Sequence, residues 1–363
     1  MKPKKTVLLG LSGGVDSSVS ALLLKKQRYN VIGAFLKMYS NSKNPLTGEC
    51  SYLEDLKMAK KIAILLKIPL IILDYEKEYK SSVLKPMFKY YKSGLTPNPD
   101  ISCNKIIKFP LLWKKAKQIN ASFIATGHYA RIKKISKEYT LLTGKDKLKD
   151  QSYFLSELSR SDLSHTLFPL GNLTKKQVRK IAKENNFPNW DKHGTIGICF
   201  VGQKDMQSLL KTKIKPKIGK VLSPDNNILG THQGISFYTI GQKANSNIGI
   251  NIKKPSNLAQ KRFYIAKKIK PNTLVVAPEN HPLLKRKSIL LKSLHLINPN
   301  SLIPANLQAR IRHLGFLHKG RLIKKKNKYL FIFQKPVDSI AEGQYLVIYH
   351  KDKLLASGEM RLS

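Results

Sequence analysis

The sequence predicts an α/β protein: a mostly parallel sheet covered by helices in the N-terminal part, then small β-rich domains ending in a β-barrel. Three observations predict this. An apolar run ending at Leu9 leads into Gly10-Leu11-Ser12-Gly13-Gly14-Val15-Asp16-Ser17-Ser18, with a helix-periodic segment behind it. Strand-like runs then alternate with amphipathic segments to about residue 126, which implies parallel strands with both faces covered. After about residue 215 the texture changes to short β-prone runs broken by Gly, Asn, Asp and Pro.

The first element reads as strand, anion-binding turn, helix. Gly13 and Gly14 reach backbone angles barred to other residues and leave room for a ligand against the chain. Val15, Val19, Leu22 and Leu23 recur at helical spacing, so a helix starts near Val15 or Asp16. Its unpaired amides and its dipole favour a phosphate, and Ser12, Ser17 and Ser18 offer hydroxyls. The spacing is neither a Walker A motif nor a dinucleotide fingerprint. On the glycines alone, a plain tight turn is the competing reading.

The chain continues in the same idiom. Residues 31–36 and 70–73 read as strands and residues 53–66 as a helix. Residues 78–92 read as a helix that Pro86 interrupts. Thr96-Pro97-Asn98-Pro99-Asp100 predicts a stiff extended loop with no regular helix, followed by Cys103 and an amphipathic helix over 106–116 that contains Pro110. Residues 123–126 form a further strand ending in Gly127-His128-Tyr129-Ala130-Arg131. Ligands of such sheets collect at the carboxyl ends of strands, so loops 12–18 and 127–131 are expected to face one site. Residues 133–150 suggest a hairpin, and residues 174–185 a helix capped by Thr174. Beyond 215, β runs fall at 230–234, 237–243, 263–267, 273–277, 288–294, 307–312, 329–333 and 345–349.

Composition bounds the function. The formal charge is +44, from 66 basic and 22 acidic residues, a field that attracts polyanions. The chain is also rich in Lys, Ile and Asn throughout, so the charge names nucleic acid as a partner class and places no contact. Three widely spaced cysteines, Cys50, Cys103 and Cys199, argue against a disulfide-framed secreted fold and cannot complete a four-cysteine zinc site. No apolar run reaches membrane-spanning length, and Met1-Lys2-Pro3-Lys4-Lys5 leads into only a short apolar strand. The expected compartment is the cytoplasm.

Single residues leave alternatives open. Asp16 beside a phosphate loop suits a magnesium ligand or a helix cap. Cys103 follows a proline-stiffened loop, and nearby Lys105 with a helix N-terminus just ahead would favour its thiolate. Cys199, between Gly197-Ile198 and Phe200, reads locally as core packing. His128 suits a ligand contact or a hydrogen-bonded strand end. Lys149, Asp150 and Gln151 suit a helix start. Arg310 and Arg312 alternate along a strand, facing either phosphate or plain solvent.

Taken together, these segments resemble the bacterial-type tRNA-specific 2-thiouridylases, within the ATP-pyrophosphatase-loop superfamily. The resemblance runs in order through Gly10–Ser17, Gly94–Asn104, Ala125–Arg131, Lys149–Leu155, Gly197–Phe200 and Tyr238–Lys243. It implies an adenine-nucleotide alpha-hydrolase-like first domain and ATP held by Gly10, Leu11, Ser12, Gly13, Gly14, Val15, Asp16 and Ser17, with Leu36 and Gly127 lining the adenosine pocket. It also implies Asn98, Pro99 and Asp100 at the target uridine, Cys103 as nucleophile and Cys199 as persulfide carrier. Lys149, Asp150, Gln151, Arg310 and Ile311 would contact tRNA. Leu36 replaces a usual methionine, Ile311 a usual tyrosine, and His193-Gly194-Thr195-Ile196 a usual Lys-Asp-Ser-Thr.

The implied reaction is adenylation of uridine O2 by ATP with magnesium, then sulfur transfer from a persulfide delivered by an upstream protein, with a Cys103–Cys199 disulfide as one outcome. The expected partners are a tRNA anticodon stem-loop and that sulfur-relay protein; the expected state is a monomer with bound tRNA. The expected domains are 1–160 (catalytic), 161–215 (helical, tRNA-binding, with the second cysteine), 216–283 (central β) and 284–363 (barrel). Two rival readings stand beside it: an ATP-dependent adenylating amide or thioamide synthase on another acceptor, and a basic RNA-binding protein without activity.

Overall fold

The computed structural model describes residues 4–40, 51–135, 138–192, 206–254, 256–299, 302–326 and 328–362. Its first unit is built on β1 (Thr6–Gly10), α1 (Val15–Lys26), β2 (Asn30–Lys37), α2 (Ser51–Leu65) and β3 (Leu70–Asp74). Then come α3 (Glu76–Tyr79), α4 (Lys85–Lys92), α5 (Pro99–Cys103), α6 (Phe109–Gln118) and β4 (Phe123–Ala125). The hairpin strands β5 (Ala130–Ile135) and β6 (Glu138–Thr143) precede α7 (Arg160–Ser164), β7 (Thr166–Leu167), α8 (Lys175–Glu184) and α9 (Met206–Lys211).

The sheet runs β3-β2-β1-β4-β7, with every pairing parallel. The chain leaves β1 toward β2 and β3, then returns to β4 on the other side. That reversal opens a crevice at the carboxyl ends of β1 and β4. Alternation along β1 serves both faces. Val7 and Leu9 join α1, α2 and α8 through Val19, Ala59, Ile62 and Val178, while Leu8 packs with Ile101, Phe109 and Leu112.

Pro86 and Pro110 do not end their helices. Each follows a π-type turn, Lys80–Leu84 and Asn104–Lys108, and sits at the second position of the helix after it. The wider turn accommodates a ring that would clash with the carbonyl four residues back. The expectation for 96–100 needs correction. Pro99 opens α5, where its missing N–H costs nothing, and Asn98 caps that helix by accepting from the Ile101 amide at 3.0 Å.

The central sheet, β8 (Gly219–Leu222), β9 (Ile228–His232), β10 (Ile250–Ile252), β11 (Phe263–Ile269) and β12 (Thr273–Pro278), has the order β10-β9-β8-β12-β11. Residues 237–243, expected as a strand, instead begin at the end of a 3-10 turn, Ile235–Phe237, and make one isolated bridge from Lys243 to Tyr264. This sheet shares a core with the first unit, joining Cys103, Ile107, Met87 and Tyr91 to Leu210, Val221, Phe237 and Ile265.

The last unit comprises β13 (Lys285–Leu291), β14 (His295–Leu296), β15 (Leu307–Arg310), β16 (His318–Lys325), β17 (Lys328–Asp338), β18 (Tyr345–His350) and β19 (Lys353–Arg361). The path β13-β17-β16-β15-β18-β19 closes through β13–β19 pairing into a six-stranded barrel. Sheets cross the expected domain limits. The hairpin β5–β6 joins β19 through Lys353 and Leu142, whereas β7 and α8 belong with the first sheet. β15 ends at Arg310, so the expected alternation to Arg312 does not occur: Arg310 is buried and Arg312 lies exposed in the following turn.

A buried ion pair locks barrel to first unit. Arg310 NH1 donates to Asp150 Oδ2 at 2.6 Å, with the two residues 6% and 0% exposed. Asp150 Oδ1 also accepts from the Gly144 and Ser152 amides, and Arg310 lies over the Tyr349 ring. Arg310→Ala is expected to cost about 3–5 kcal/mol in denaturant unfolding, because it strands a buried carboxylate, while joint replacement of Asp150 and Arg310 by apolar residues of similar volume costs less. Beside the pair, the His313 ring lies tilted against Phe154 with centroids 4.2 Å apart, and burial pushes its imidazole down to about 4. The unfolded imidazole titrates near 6.5, so between there and about pH 4 the unfolded chain holds the extra proton. Stability is expected to fall as pH drops through that window, and to fall less in His313→Phe, as read by unfolding curves at each pH.

Candidate active site

The crevice is lined by the turn between β1 and α1. Gly14 caps α1 in an extended conformation with no side-chain cap, leaving the first-turn amides of Val15, Asp16 and Ser17 without intrahelical acceptors. Gly13 has φ +75, and a Cβ there would lie 2.2 Å from the Asp55 carbonyl oxygen. The serines brace the turn. Ser17 Oγ donates to the Gly14 carbonyl at 2.9 Å and lies 3.2 Å from Ser12 Oγ, while Ser18 Oγ donates to the same carbonyl at 3.0 Å.

The expected pocket residues do converge. A Cβ on Gly10 would sit 3.7 Å from Leu36 Cδ1, and one on Gly127 would sit 2.9 Å from the Asp16 carbonyl carbon and 3.0 Å from the Ser17 nitrogen. Glycine at 127 is therefore what lets the β4 loop touch the first turn of α1.

Asp16 does not cap α1. Its Oδ1 accepts from the Tyr129 hydroxyl at 2.7 Å and from Lys175 Nζ at 2.6 Å. Burial, and then the Asp16 charge, pushes the Tyr129 phenol far above its usual value. No group of three or more metal-binding side chains occurs among the described residues. Tyr129 falls in the 127–131 loop expected at this site, whereas Lys175, Asn189, Asp55 and Lys192 carry no sequence signal that marks them. Buried Asn189 donates to the Gly13 carbonyl at 2.9 Å and to Ser18 Oγ at 3.0 Å, and Lys192 pairs with Asp55 at 2.6 Å. Burial raises the Asp55 carboxyl, and Lys192 opposes that. Only the Thr174 cap signal marked the start of α8, and nothing in spacing links 175 or 189 to 16.

The second stretch, 94–104, is held from three sides. Lys268 of β11 donates to the Gly94 carbonyl at 2.9 Å, and burial pushes that ammonium down to about 7. The Thr96 amide donates to the Glu342 carbonyl at 2.8 Å, and its hydroxyl meets Thr239 Oγ1 at 3.2 Å. Gln344 Nε2 donates to the Pro97 carbonyl and its Oε1 accepts from Asn98 Nδ2, each at 3.2 Å. Pro99 is buried; Asn98 and Asp100 are half-buried.

Cys103 is 3% exposed and packs in the shared core. Both supports expected for its thiolate are placed differently. Lys105 is committed to Glu157 at 2.7 Å, and α5 begins at Pro99, so Cys103 lies past a helix N-terminus, not ahead of one. Cys50, Cys199 and the 193–196 departure lie outside the described residues, among which there is no disulfide.

The expected RNA contacts separate. Lys149 is exposed and Gln151 half-buried, its Oε1 accepting from the Tyr129 amide at 3.0 Å. Asp150, Arg310 and Ile311 are buried, the first two against each other. His128 holds Thr126 Oγ1 at 2.7 Å and stacks against Phe109; burial, then Lys108, pushes its imidazole well below the usual range. Arg131 pairs with Asp352 of the barrel unit at 2.7 Å.

Comparison with known proteins now bears on this geometry. A family profile described as the tRNA methyl transferase HUP domain matches residues 5–203. The tRNA methyl transferase PRC-barrel domain matches 207–278, and the aminomethyltransferase beta-barrel domain 286–360. The tRNA-specific 2-thiouridylase MnmA 1 of Geobacillus kaustophilus is 39% identical over 358 residues, covering 98% of this chain and 95% of that protein. The chain belongs to the tRNA-specific 2-thiouridylase family. MnmA 2 of Aliarcobacter butzleri is 38% identical, covering 99% of this chain and 98% of its own, and MnmA of Mycoplasma genitalium is 40% identical, covering 96% and 97%. The domain descriptions say methyl transferase, but the thiouridylase relatives match the whole length, and they define the family. No helix among the described residues is long and apolar enough to cross a membrane.

The β1–α1 turn yields a stability test. Gly13→Ala is expected to lower unfolding free energy by about 1–3 kcal/mol through its left-handed backbone and its contact with Asp55. Gly14→Ala, at φ −83 with only Ser12 Oγ at 3.5 Å, should cost less, and denaturant titration of both variants reads the difference.

Proposed function

We infer that this protein is an ATP-dependent tRNA-uridine 2-sulfurtransferase that thiolates the wobble uridine. The full-length match to 2-thiouridylases carries this conclusion, and the uncapped turn at the carboxyl end of β1 supports it. The turn Gly10–Ser17 presents first-turn amides to the phosphates of ATP, with Leu36 and Gly127 against the adenosine. The chemistry of this donor set fits a nucleotide: uncapped amides, a glycine cradle and one carboxylate. Asp16 would share magnesium with the phosphates, which supply most ligands to that ion, and the ion would neutralise charge as pyrophosphate leaves.

Asn98, Pro99 and Asp100 place the uridine. Its O2 attacks the α-phosphorus and pyrophosphate departs, making AMP the leaving group at C2. Cys199 carries the persulfide, whose terminal sulfur ends on C2 as AMP leaves. The Cys103 thiolate takes Cys199 Sγ, the bond between Cys199 Sγ and the transferred sulfur breaks, and a Cys103–Cys199 disulfide remains for an external thiol to reduce. Lys149 and Gln151 meet the RNA, while Asp150, Arg310 and Ile311 serve it by fixing the 149–155 segment to the barrel. The substrate is an unpaired anticodon loop, whose base can be splayed into a pocket. A sulfur-relay protein supplies the persulfide, and one chain handles one tRNA.

Incubation with ATP, tRNA and a persulfide donor is expected to yield wobble 2-thiouridine by nucleoside mass spectrometry. Cys103→Ala or Cys199→Ala abolishes it. Wild-type product from either variant removes that cysteine's role, and AMP release with a small acceptor in the absence of tRNA favours the amide-synthase reading instead.

A further inference from the structure

The Tyr238–Lys243 motif has no part in the reaction steps above, and its shape explains its composition. Thr239 to Gln242 form a tight turn, closed by the Gln242 amide donating to the Thr239 carbonyl at 3.1 Å. Gly241, at the third position, has φ +84, the left-handed value that favours glycine there. Gln242 Oε1 closes the turn a second time by accepting from the Thr239 amide at 3.1 Å. The turn is laced to β11. The Gly241 amide donates to the Ile265 carbonyl at 2.8 Å, and the Ile265 amide donates to the Gln242 carbonyl at 3.0 Å. A Cβ on Gly241 would lie 2.2 Å from Ser339 Cβ, so the barrel unit covers the turn.

The braced turn presents the Thr239 hydroxyl, whose Oγ1 lies 3.2 Å from Thr96 Oγ1. β11 presents a second group. Its register against β12 shifts between Ile265 and Lys267, and a bulge of this kind re-aims the side chains beyond it. Past the shift, Lys267 and Ile269 are exposed, whereas Lys268 between them is half-buried. Its Nζ donates to the Gly94 carbonyl at 2.9 Å. Covering an ammonium costs free energy that a solvent-facing lysine avoids. Burial accordingly pushes Lys268 down to about 7, with the Glu342 charge opposing.

Both contacts fall just ahead of Asn98. Gly94, at φ +82, turns the chain out of α4, and Thr96 is buried. Pro97 and Pro99 fix φ on either side of Asn98, and Pro99 restricts Asn98 as well, so a displacement at 94–96 carries through to 98. We propose that Lys268 and Thr239 are positioning residues for the target uridine: the central unit sets where Asn98, Pro99 and Asp100 stand, through two side chains that do not touch the RNA. This rests on the reading that residues 98–100 place the uridine. Loss of either contact misplaces the base against the reacting groups. It costs rate and leaves RNA affinity in place, because affinity comes mainly from phosphate contacts elsewhere.

The test is single-turnover thiolation by excess full chain with ATP, tRNA and a persulfide donor, beside tRNA binding by filter retention. Lys268→Met and Thr239→Val are each expected to slow thiolation roughly ten- to hundredfold while the tRNA Kd stays within about twofold. Lys268→Arg and Thr239→Ser, which keep the donor and the hydroxyl, restore most of the rate. Unchanged rates in both the Met and the Val variant overturn the proposal. So does a rate loss matched by an equal loss of tRNA affinity with a lowered melting temperature, which marks a general structural role. If Lys268→Met does not fold, Thr239→Val against Thr239→Ser gives the same comparison. Failure of the unaltered chain to thiolate tRNA would overturn the reading of the reaction itself.

Discussion

The structure depends on the parallel pairing of β1 on both edges. Because β2 and β4 flank it, β1 is buried on both faces and both sides, and every residue from Val7 to Leu9 is fully buried. The chain must leave the sheet at its carboxyl end, and it does so at Gly10, into a turn where two glycines make close backbone contacts. Gly13 lies against Asp55 and Gly127 against Asp16. Backbone amides therefore face the crevice, and the sheet reversal places the β4 loop opposite them. The close approach of these two loops follows from sheet topology and two glycines.

The other two units hold the 94–104 stretch. Lys268 from the central sheet and Glu342 and Gln344 from the barrel unit grip its backbone and Asn98. The barrel is in turn fixed to the first unit by Arg310–Asp150 and by the hairpin β5–β6. Three sheets thus determine where one short helix, α5, presents Cys103. Cys103 is buried there, in the core that the first unit shares with the central sheet.

Local signals in the sequence were reliable where the physics is local. The start of α1, the Thr174 cap and the strands around the first sheet depend on periodicity, capping and glycine, all visible within a few residues. Where the physics is not local, the reading shifted. Two prolines suggested an extended loop, yet Pro99 opens a helix because Asn98 caps it. Arg310 and Arg312 were paired by alternation, but β15 stops between them, and Arg310 turns inward to a carboxylate 160 positions away. Lys105 was placed as a neighbour of Cys103 and is instead neutralised by Glu157.

Sequence by itself determined the class of the protein: the glycine turn after β1, the Pro97–Cys103 segment and the family they resemble, because these are short contiguous patterns legible without their distant partners. Tertiary structure alone decided what Asp16 does. Sequence left it between cap and metal ligand; the fold gives the cap to Gly14 and sets Asp16 between Tyr129 and Lys175. The reason is that a charge takes its role from the groups packed around it, and those come from segments 113 and 159 positions away.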